Sequence, residues 1–339
     1  MILILSRESA ELTTDNVIDW LQYRKSPFYR LNGEDLFNGN VTIEFELKNS
    51  QWEFHLKEKG CKISSRTIKA VWFRRAFNPN LKGRIQFETN NLHEYKSIEN
   101  LNNYHTNELR IVYSLFEQSL KHSFWLNRPS DVSNKFKILQ EAQALGIKTP
   151  NSFLTNNKTS LSRFLTKNPT SITKSCGNGG SFEFGKNFIS GLTARVQQKD
   201  IINCSHDIFF PSLFQEEIGK KYEVRVFYLI GKIFSVGIFS QSNEDTAVDY
   251  RNYDYNKPNR MEIIDIPKGL KNKITTLMKR LKINCGSLDF IKSLNDEYYF
   301  LEVNPVGQFL GISEIGNLKL DKLLAEVLIK NEKKEIKYS

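Results

Sequence analysis

At 339 residues the chain exceeds one ordinary domain, and two or three packed units are expected. Its composition, 40% hydrophobic and 25% charged with only 9 Pro and 18 Gly, excludes the disordered, collagenous and low-complexity classes. A formal net charge of +10 points to an anionic partner: nucleotide phosphates, an acidic peptide or nucleic acid.

The opening run from Met1 to Leu5 is too short for a signal peptide, no stretch approaches the roughly 20 apolar residues that span a bilayer, and no membrane partner is expected. It reads as a strand. A helix opening near Thr13, Thr14 and Asp15 follows, with Val17, Ile18 and Leu21 as its apolar stripe, and a second extended run from Phe28 to Leu31 completes a β-α-β start. Val41, Ile43, Phe45 and Leu47 alternate with polar residues, and Trp52 to Leu56 returns beside them as a hairpin. Residues 62–84 carry Lys62, Arg66, Lys69, Arg74, Arg75, Lys82 and Arg84 without an acidic residue. Such a run is either a solvated surface or a dock for an acidic segment of a partner. Within it AVWFRRAF is expected as a strand, which sends Arg74 and Arg75 to opposite faces.

A long helix is predicted from about residue 97 to 122, and Asn127 to Ser130 mark a boundary. The next helix carries Phe136, Leu139, Ala142 and Leu145 at helical spacing and is stopped by Gly146. A strand entered through Pro150, a helix near 159–167, the strand SITK and the glycine-rich turn CGNGG follow. Beyond Pro211 the pattern becomes the strands SLFQEEI, YEVRVFYLI and IFSVGIFS, the last two turning at Gly231 and Lys232. Then come a helix near 269–281 and the strands CGSLDFIK and YYFLEVN. The expected domains are 1–128, 129–212 and 213–339. Cys61, Cys176, Cys204 and Cys285 form no CxxC pair and the five histidines no HExxH motif, so neither a zinc site nor a disulfide framework is indicated and a cytoplasmic location is expected.

The segment that carries chemistry is CGSLDFIKSLNDEYYFLEVNP. Closure of the hairpin about Asn295 and Asp296 sets Asp289 across from Glu302, with Asn304 on the same face and Leu301 and Val303 on the apolar one. Like charges so placed are destabilising and call for a cation; hard oxygen ligands with positions left open suit Mg2+ shared with phosphates. Lys135 begins a helix, and Lys174 ends SITK before the glycine-rich turn, where backbone N–H groups can approach an anion. In YEVRVF, Glu223 and Arg225 share a face; the turn expected at Gly231 and Lys232 sets Ile238 opposite Arg225 and Ser240 opposite Glu223.

Taken together, Lys135 with its helix ending ALGIKTP, Lys174, FQEEI, EVRV, LDF and FLEVNP resemble an ATP-grasp ligase over residues 129–330. More narrowly, RLNGED, VWFRR, VDYRNYD at 248–254 and FLEVNPVGQF resemble the ATP-grasp peptide maturases that make graspetides, the microviridin-like side-chain-crosslinked peptides. The resemblance implies an α/β (α+β) ATP-grasp fold with an N-terminal pre-ATP-grasp β-α-β domain, and ATP and Mg2+ as cofactors. It implies phosphate binding by Lys135 and Lys174, a hinge from Gln215 through Glu216 and Glu217 to Ile218 that meets adenine, and a ribose contact at Glu223. Asp289, Glu302 and Asn304 would hold magnesium, while Arg225 and Lys174 would act in catalysis. Arg74, Arg75 and Arg251 are the candidate substrate contacts; a pairing of Arg251 with Asp249 or Asp254 stays open. Many ATP-grasp enzymes have proline after the second lysine, where this chain has Ser175 and Cys176.

The implied reaction closes side-chain ester or amide macrocycles in a ribosomally made precursor peptide, leader and core, through an acyl phosphate. One rival is a ligase adding free amino acids to a protein or peptide carboxylate, and a homodimer is compatible with either ligase. The other rival is a basic nucleic-acid-binding protein, for which the sequence has no zinc-finger or RNP motif.

Overall fold

The computed structural model describes residues 1–339 apart from 10, 37, 59, 77–91, 130–133, 178–180, 185–186, 191–192, 204, 241–258 and 335–339; for 92–96, 98–99, 181–184 and 187–190 it gives the backbone. The expectations for Lys82, Arg84, Arg251, Asp249, Asp254 and the last three residues of CGNGG therefore fall outside the described residues. Two compact units emerge, Met1–Val132 with Lys319–Ser339, and Ser133–Leu318.

In the first unit β1 (Ile2–Ser6) is buried along its whole length, as a parallel strand covered on both faces should be. α1 (Leu12–Tyr23) turns Val17 and Leu21 inward and leads to β2 (Phe28–Asn32). This helix starts earlier than its threonines suggested: Glu11 is the N-cap, and Thr13 and Thr14 are buried in the first turn. A separate three-stranded sheet of β3 (Thr42–Lys48), β4 (Gln51–Glu58) and β5 (Cys61–Ser64) follows. Its first hairpin turns at Asn49 and Ser50, both at positive φ, which a two-residue turn of matching twist requires. Then come β6 (Ala70–Phe73), α2 (Leu92–Ser119) and β7 (Phe124–Trp125). The main sheet is parallel in the order β2-β1-β6-β7. Phe116 of α2 meets Phe45 and Phe54 of the small sheet over a core that includes Leu3, Leu5 and Val71.

The second unit holds two antiparallel layers. α3 (Lys135–Ala144), β8 (Ser152–Asn157), α4 (Lys158–Lys167), β9 (Ser171–Lys174), the hairpin β10 (Ser181–Phe184) and β11 (Asn187–Ser190), β12 (Ala194–Val196), α5 (Gln198–Ile202) and β13 (Ile208–Glu216) come first. β12-β9-β13-β8 form one sheet, with Leu161, Leu165 and Ile201 of the helices packed on Phe214. Pro211 lies inside β13, where the register shifts, a place at which a strand tolerates its missing N–H. The other sheet, β16-β15-β14-β17-β18, comprises β14 (Lys220–Leu229), β15 (Lys232–Phe239), β16 (Arg260–Ile263), β17 (Cys285–Ser293) and β18 (Tyr298–Asn304). It is covered on one face by α3 and by α6 (Lys268–Arg280). α3 buries Ile138, Leu139 and Ala142 against Val224, Phe290 and Phe300, while the predicted Phe136 is exposed. It thus packs on the C-terminal sheet although the sequence grouped it with 129–212. Gly146, at φ +68, ends the turn after it, as a left-handed helix stop should.

α7 (Leu310–Ile315) closes the second unit, and α8 (Leu320–Glu332) packs on α1 and β6 of the first. Trp20 donates to Asp321 at 2.8 Å and the N-terminal ammonium pairs with Glu332 at 3.0 Å. The sequence had assigned this helix to 213–339; its apolar residues Leu320, Leu324 and Leu328 are instead spent in the first unit. No helix among the described residues is long and apolar enough to cross a membrane.

Phe290, 1% exposed and edge-on to Phe300 at 5.3 Å, is a keystone of the second unit. Phe290→Ala is expected to destabilise that unit by about 3–5 kcal/mol in urea unfolding followed by circular dichroism. Tryptophan fluorescence should shift less, because Trp20, Trp52, Trp72 and Trp125 all lie in the first unit.

Candidate functional site

Alternation along β14 sends Val224, Val226 and Tyr228 into the helix-covered core and leaves Glu223 and Arg225 on the opposite face. On that face three neighbouring strands align Arg225 with Asp289, and Asp289 with Glu302. Arg225 Nε stands 3.8 Å from Asp289 Oδ1. At the other end of the row Lys135 Nζ, from the first residue of α3, stands 3.5 Å from Glu302 Oε2 and donates to the Ser175 carbonyl at 3.1 Å. The result is a line of charges, cation, carboxylate, carboxylate, cation, with 16–30% of each side chain exposed. Facing carboxylates on adjacent strands repel, and the flanking cations offset that repulsion.

The pairing of Asp289 with Glu302 was expected, but two local irregularities produce it. The turn is three residues long, Leu294 to Asp296, with Asp296 at φ +62. That alone would displace the register by one. Leu301 is then inserted as a bulge between the Phe290–Phe300 and Asp289–Glu302 pairs and restores it. In consequence Phe300, fully buried, takes the core position with Val303, and Leu301, expected there, is only half-buried.

Asn304 follows on the same face, opposite Ser287. Its Oδ1 accepts from the Val306 N–H at 3.1 Å and its carbonyl from Gly307 at 3.0 Å, so the loop after β18 fixes the side chain. That loop lies against β17: a Cβ on Gly307, whose φ is +55, would come within 3.2 Å of the Gly286 Cα. Ser287 Oγ donates to the Gln308 carbonyl at 3.2 Å, and Phe309 packs on Phe227 beneath the charged row.

The other hairpin turns at Ile230 and Gly231, φ +44 and +83, rather than at Gly231 and Lys232. Ile238 therefore faces Glu223 and Val236 faces Arg225, two residues from the expected register. A shift of two leaves every side chain on its face. Glu223 is buried against Lys220 and accepts from Ser240 Oγ at 3.4 Å. Lys220 was not foreseen, although a lysine three residues before a buried glutamate was its signal.

Lys174 ends β9 opposite Leu213, half-buried, one residue before the carbonyl that Lys135 holds. Along the expected hinge, Gln215 is 1% exposed and its Nε2 donates to Ser152 Oγ at 2.7 Å, while its Oε1 has no partner among the described residues. Glu216 and Glu217 give their N–H groups to Asn151 and Thr170. The Glu217 carboxylate grips Arg195 with two bonds at 2.7 and 2.9 Å, which pushes the guanidinium further above its ordinary range. The backbone of Ile218 forms no hydrogen bond among the described residues.

Two of the expected substrate contacts lie in the first unit. β6 stops at Phe73, so Arg74 and Arg75 do not alternate across a strand; both turn to Glu11. Arg74 is 1% exposed, with its guanidinium 5.3 Å from the Trp72 ring. Of the remaining described part of the basic run, Arg66 pairs with Glu53. Among the described residues no group of three or more His, Cys, Asp or Glu is arranged to hold a metal ion.

Comparison with known proteins bears on the fold. Residues 1–133 match the family model of the MvdD pre-ATP grasp domain. An uncharacterized protein of Methanocaldococcus jannaschii is 27% identical over 278 residues, covering 77% of this chain and 64% of that protein, so the chain spans less than two thirds of that relative's length. A RiPP-associated ATP-grasp ligase of Chryseobacterium gregarium, solved with ADP and a leader and core peptide, superposes with a TM-score of 0.82 at 24% identity, covering 97% of this chain and 96% of that one. The macrocyclase MdnC of Microcystis aeruginosa, bound with precursor peptide MdnA, gives 0.79 at 23% identity over 97% and 99%. PsnB, solved with a phosphomimetic variant of its minimal precursor, Mg and ADP, gives 0.74 at 17% over 98% of both chains. The fold is that of the ATP-grasp ligases.

Lys135→Met removes the cation beside Glu302 and the bond to Ser175. The ligand-free protein should lose about 1–2 kcal/mol, read as a lower midpoint in differential scanning calorimetry.

Proposed function

From the premise that this chain carries the ATP-grasp ligase fold behind an MvdD-type pre-ATP grasp domain, we propose that it is an ATP-dependent peptide ligase closing side-chain ester or amide macrocycles in a ribosomally made precursor. The observation that carries this reading is the row Lys135, Glu302, Asp289, Arg225. Asp289 and Glu302, with the Asn304 amide oxygen, fit Mg2+: all are hard oxygen donors, and they leave positions for phosphate and water. When bound, the ion neutralises and polarises phosphoryl oxygens. Lys135 would exchange its contacts with Glu302 and Ser175 for phosphate oxygens, next to Lys174. The Ile218 backbone and Gln215 Oε1 offer the donor and acceptors that an adenine edge takes. Glu223, fixed by Lys220 and Ser240, would receive a ribose hydroxyl. Arg225 would counter charge on the transferring phosphoryl group.

The chemistry follows from what a carboxylate lacks, a leaving group. Phosphorylation of an Asp or Glu side chain by ATP supplies one, and a Lys amine or Ser/Thr hydroxyl of the same peptide then displaces phosphate. Holding both groups on one bound chain raises their effective concentration. The peptides named with MdnC and with the Chryseobacterium ligase support a peptide as substrate. The use of ATP, with no paired cysteines in the sequence, suits the cytoplasm.

The test is mass spectrometry after incubation with ATP, Mg2+ and a peptide encoded beside this gene that is rich in Asp/Glu and Lys/Ser/Thr. Loss of one water per ring is expected; gain of an amino-acid mass would favour the rival that adds free amino acids, and an unaltered cognate peptide would refute ligation. Glu302→Gln keeps the shape of a ligand and deletes its charge, and should lower turnover by roughly a hundredfold or more.

A further inference from the structure

β8 and β13 pair antiparallel within the second unit, and Ser152 lies directly opposite Gln215. Lys174 pairs with Leu213, two residues before Gln215, while Phe214 between them points into the core under α4 and α5. Alternation therefore places the Gln215 amide on the same face of the sheet as Lys174.

The polar atoms here form a chain whose direction is fixed. Gln215 Nε2 donates to Ser152 Oγ at 2.7 Å, and Ser152 Oγ donates to the Pro150 carbonyl at 3.0 Å. A serine hydroxyl has one hydrogen. Pro150 is buried and its carbonyl accepts no backbone N–H among the described residues, so that hydrogen is committed to it. Ser152 Oγ can then only accept from Gln215, and only the NH2 end of the amide can face it. The carbonyl end is turned the other way. Gln215 is 1% exposed, yet its Oε1 has no partner among the described residues, and a buried acceptor left unmet is costly. The exposed Ser152 beside it shows that the amide lies one side chain from solvent. Three residues further along the same segment, the Ile218 N–H forms no hydrogen bond among the described residues either.

An acceptor locked in place and a backbone donor complement one kind of base edge. A 6-aminopurine offers an amino hydrogen next to a bare N1. A 6-oxopurine offers an oxygen next to N1–H, and would set acceptor against acceptor and donor against donor. We propose that Ser152 is a specificity-determining residue: by fixing the Gln215 amide it makes the nucleotide site take a 6-aminopurine and refuse a 6-oxopurine. The assignment rests on the reading of the second unit as ATP-using and deepens it. Ser152 acts through Gln215 and is a positioning residue, with the Pro150 carbonyl setting its hydrogen.

Titration calorimetry of the full chain with MgATP and MgITP tests it, since the two differ only at position 6 and N1 of the base. The wild-type protein should bind MgATP roughly a hundredfold more tightly than MgITP, because a site built to receive a donor rejects the analogue that lacks it. Ser152→Ala frees the amide to turn its NH2 end outward, and should narrow that ratio roughly tenfold by weakening MgATP and strengthening MgITP. Ser152→Thr keeps the hydroxyl and should keep the ratio. In the ligand-free protein the Gln215 side-chain NH2 resonance, identified by its loss in Gln215→Met, should exchange slowly with solvent in the wild type and in Ser152→Thr, and faster in Ser152→Ala. Equal wild-type affinity for the two nucleotides, a ratio unchanged in Ser152→Ala, or a ratio lost in Ser152→Thr would overturn the proposal. A purely structural role for Ser152 predicts the second of these, because both affinities would fall together. Absence of any nucleotide binding would overturn this inference and the ligase reading alike, whereas Ser152-dependent selectivity without ring closure would sink only the macrocycle.

Discussion

Two carboxylates side by side on adjacent strands are the constraint around which the second unit is arranged. Asp289 and Glu302 repel, and the chain places a cation at each outer flank, Arg225 from β14 and Lys135 from α3. The cations come from elements that would otherwise have no reason to meet. α3 reaches the row because Ile138, Leu139 and Ala142 anchor it on the reverse of the same sheet, and its first residue then points back over the edge of β18. The core that stabilises the sheet and the charges that give it chemistry are thus two faces of one register. A slip of β17 against β18 by one residue would turn Asp289 toward the core and Phe290 away from it, separating the acid from Glu302.

The same arrangement explains why the proposed ligands would bind together. In the ligand-free protein the carboxylates are compensated by the groups that phosphates would claim. A nucleotide that draws Lys135 away leaves Glu302 short of a cation, and a divalent ion that satisfies the carboxylates releases Lys135 for phosphate. Each event lowers the cost of the other, which is the form linkage takes between two ligands sharing one electrostatic site.

Much of this was legible in the sequence because strand faces depend only on parity. The predicted Asp289–Glu302 pairing survived a three-residue turn because the Leu301 bulge cancelled it, and the β14–β15 register was two residues off without moving Arg225 or Glu223 from their face. What parity cannot see was missed. Leu301 was assigned to the core because a bulge leaves no mark in an apolar strand. Phe136 was counted in the α3 stripe although Ile138 holds that position, since a short amphipathic helix admits two neighbouring registers. The return of α8 to the first unit depends on contacts such as Trp20 with Asp321, some 300 residues apart, and no local pattern records them. Arg74 and Arg75 were read as strand residues on opposite faces because the end of β6 is set by its neighbours in the sheet, and Glu11, their common partner, lies 63 residues before Arg74.

The balance of charge in the second unit constrains what can bind there. The row in the second unit sums to zero, so a partner must bring both signs, and a divalent cation with a polyphosphate does so without leaving charge stranded. A neutral ligand gains little there: it meets desolvated charges that it cannot compensate, and the loss of their own partners costs more than a neutral hydrogen bond returns.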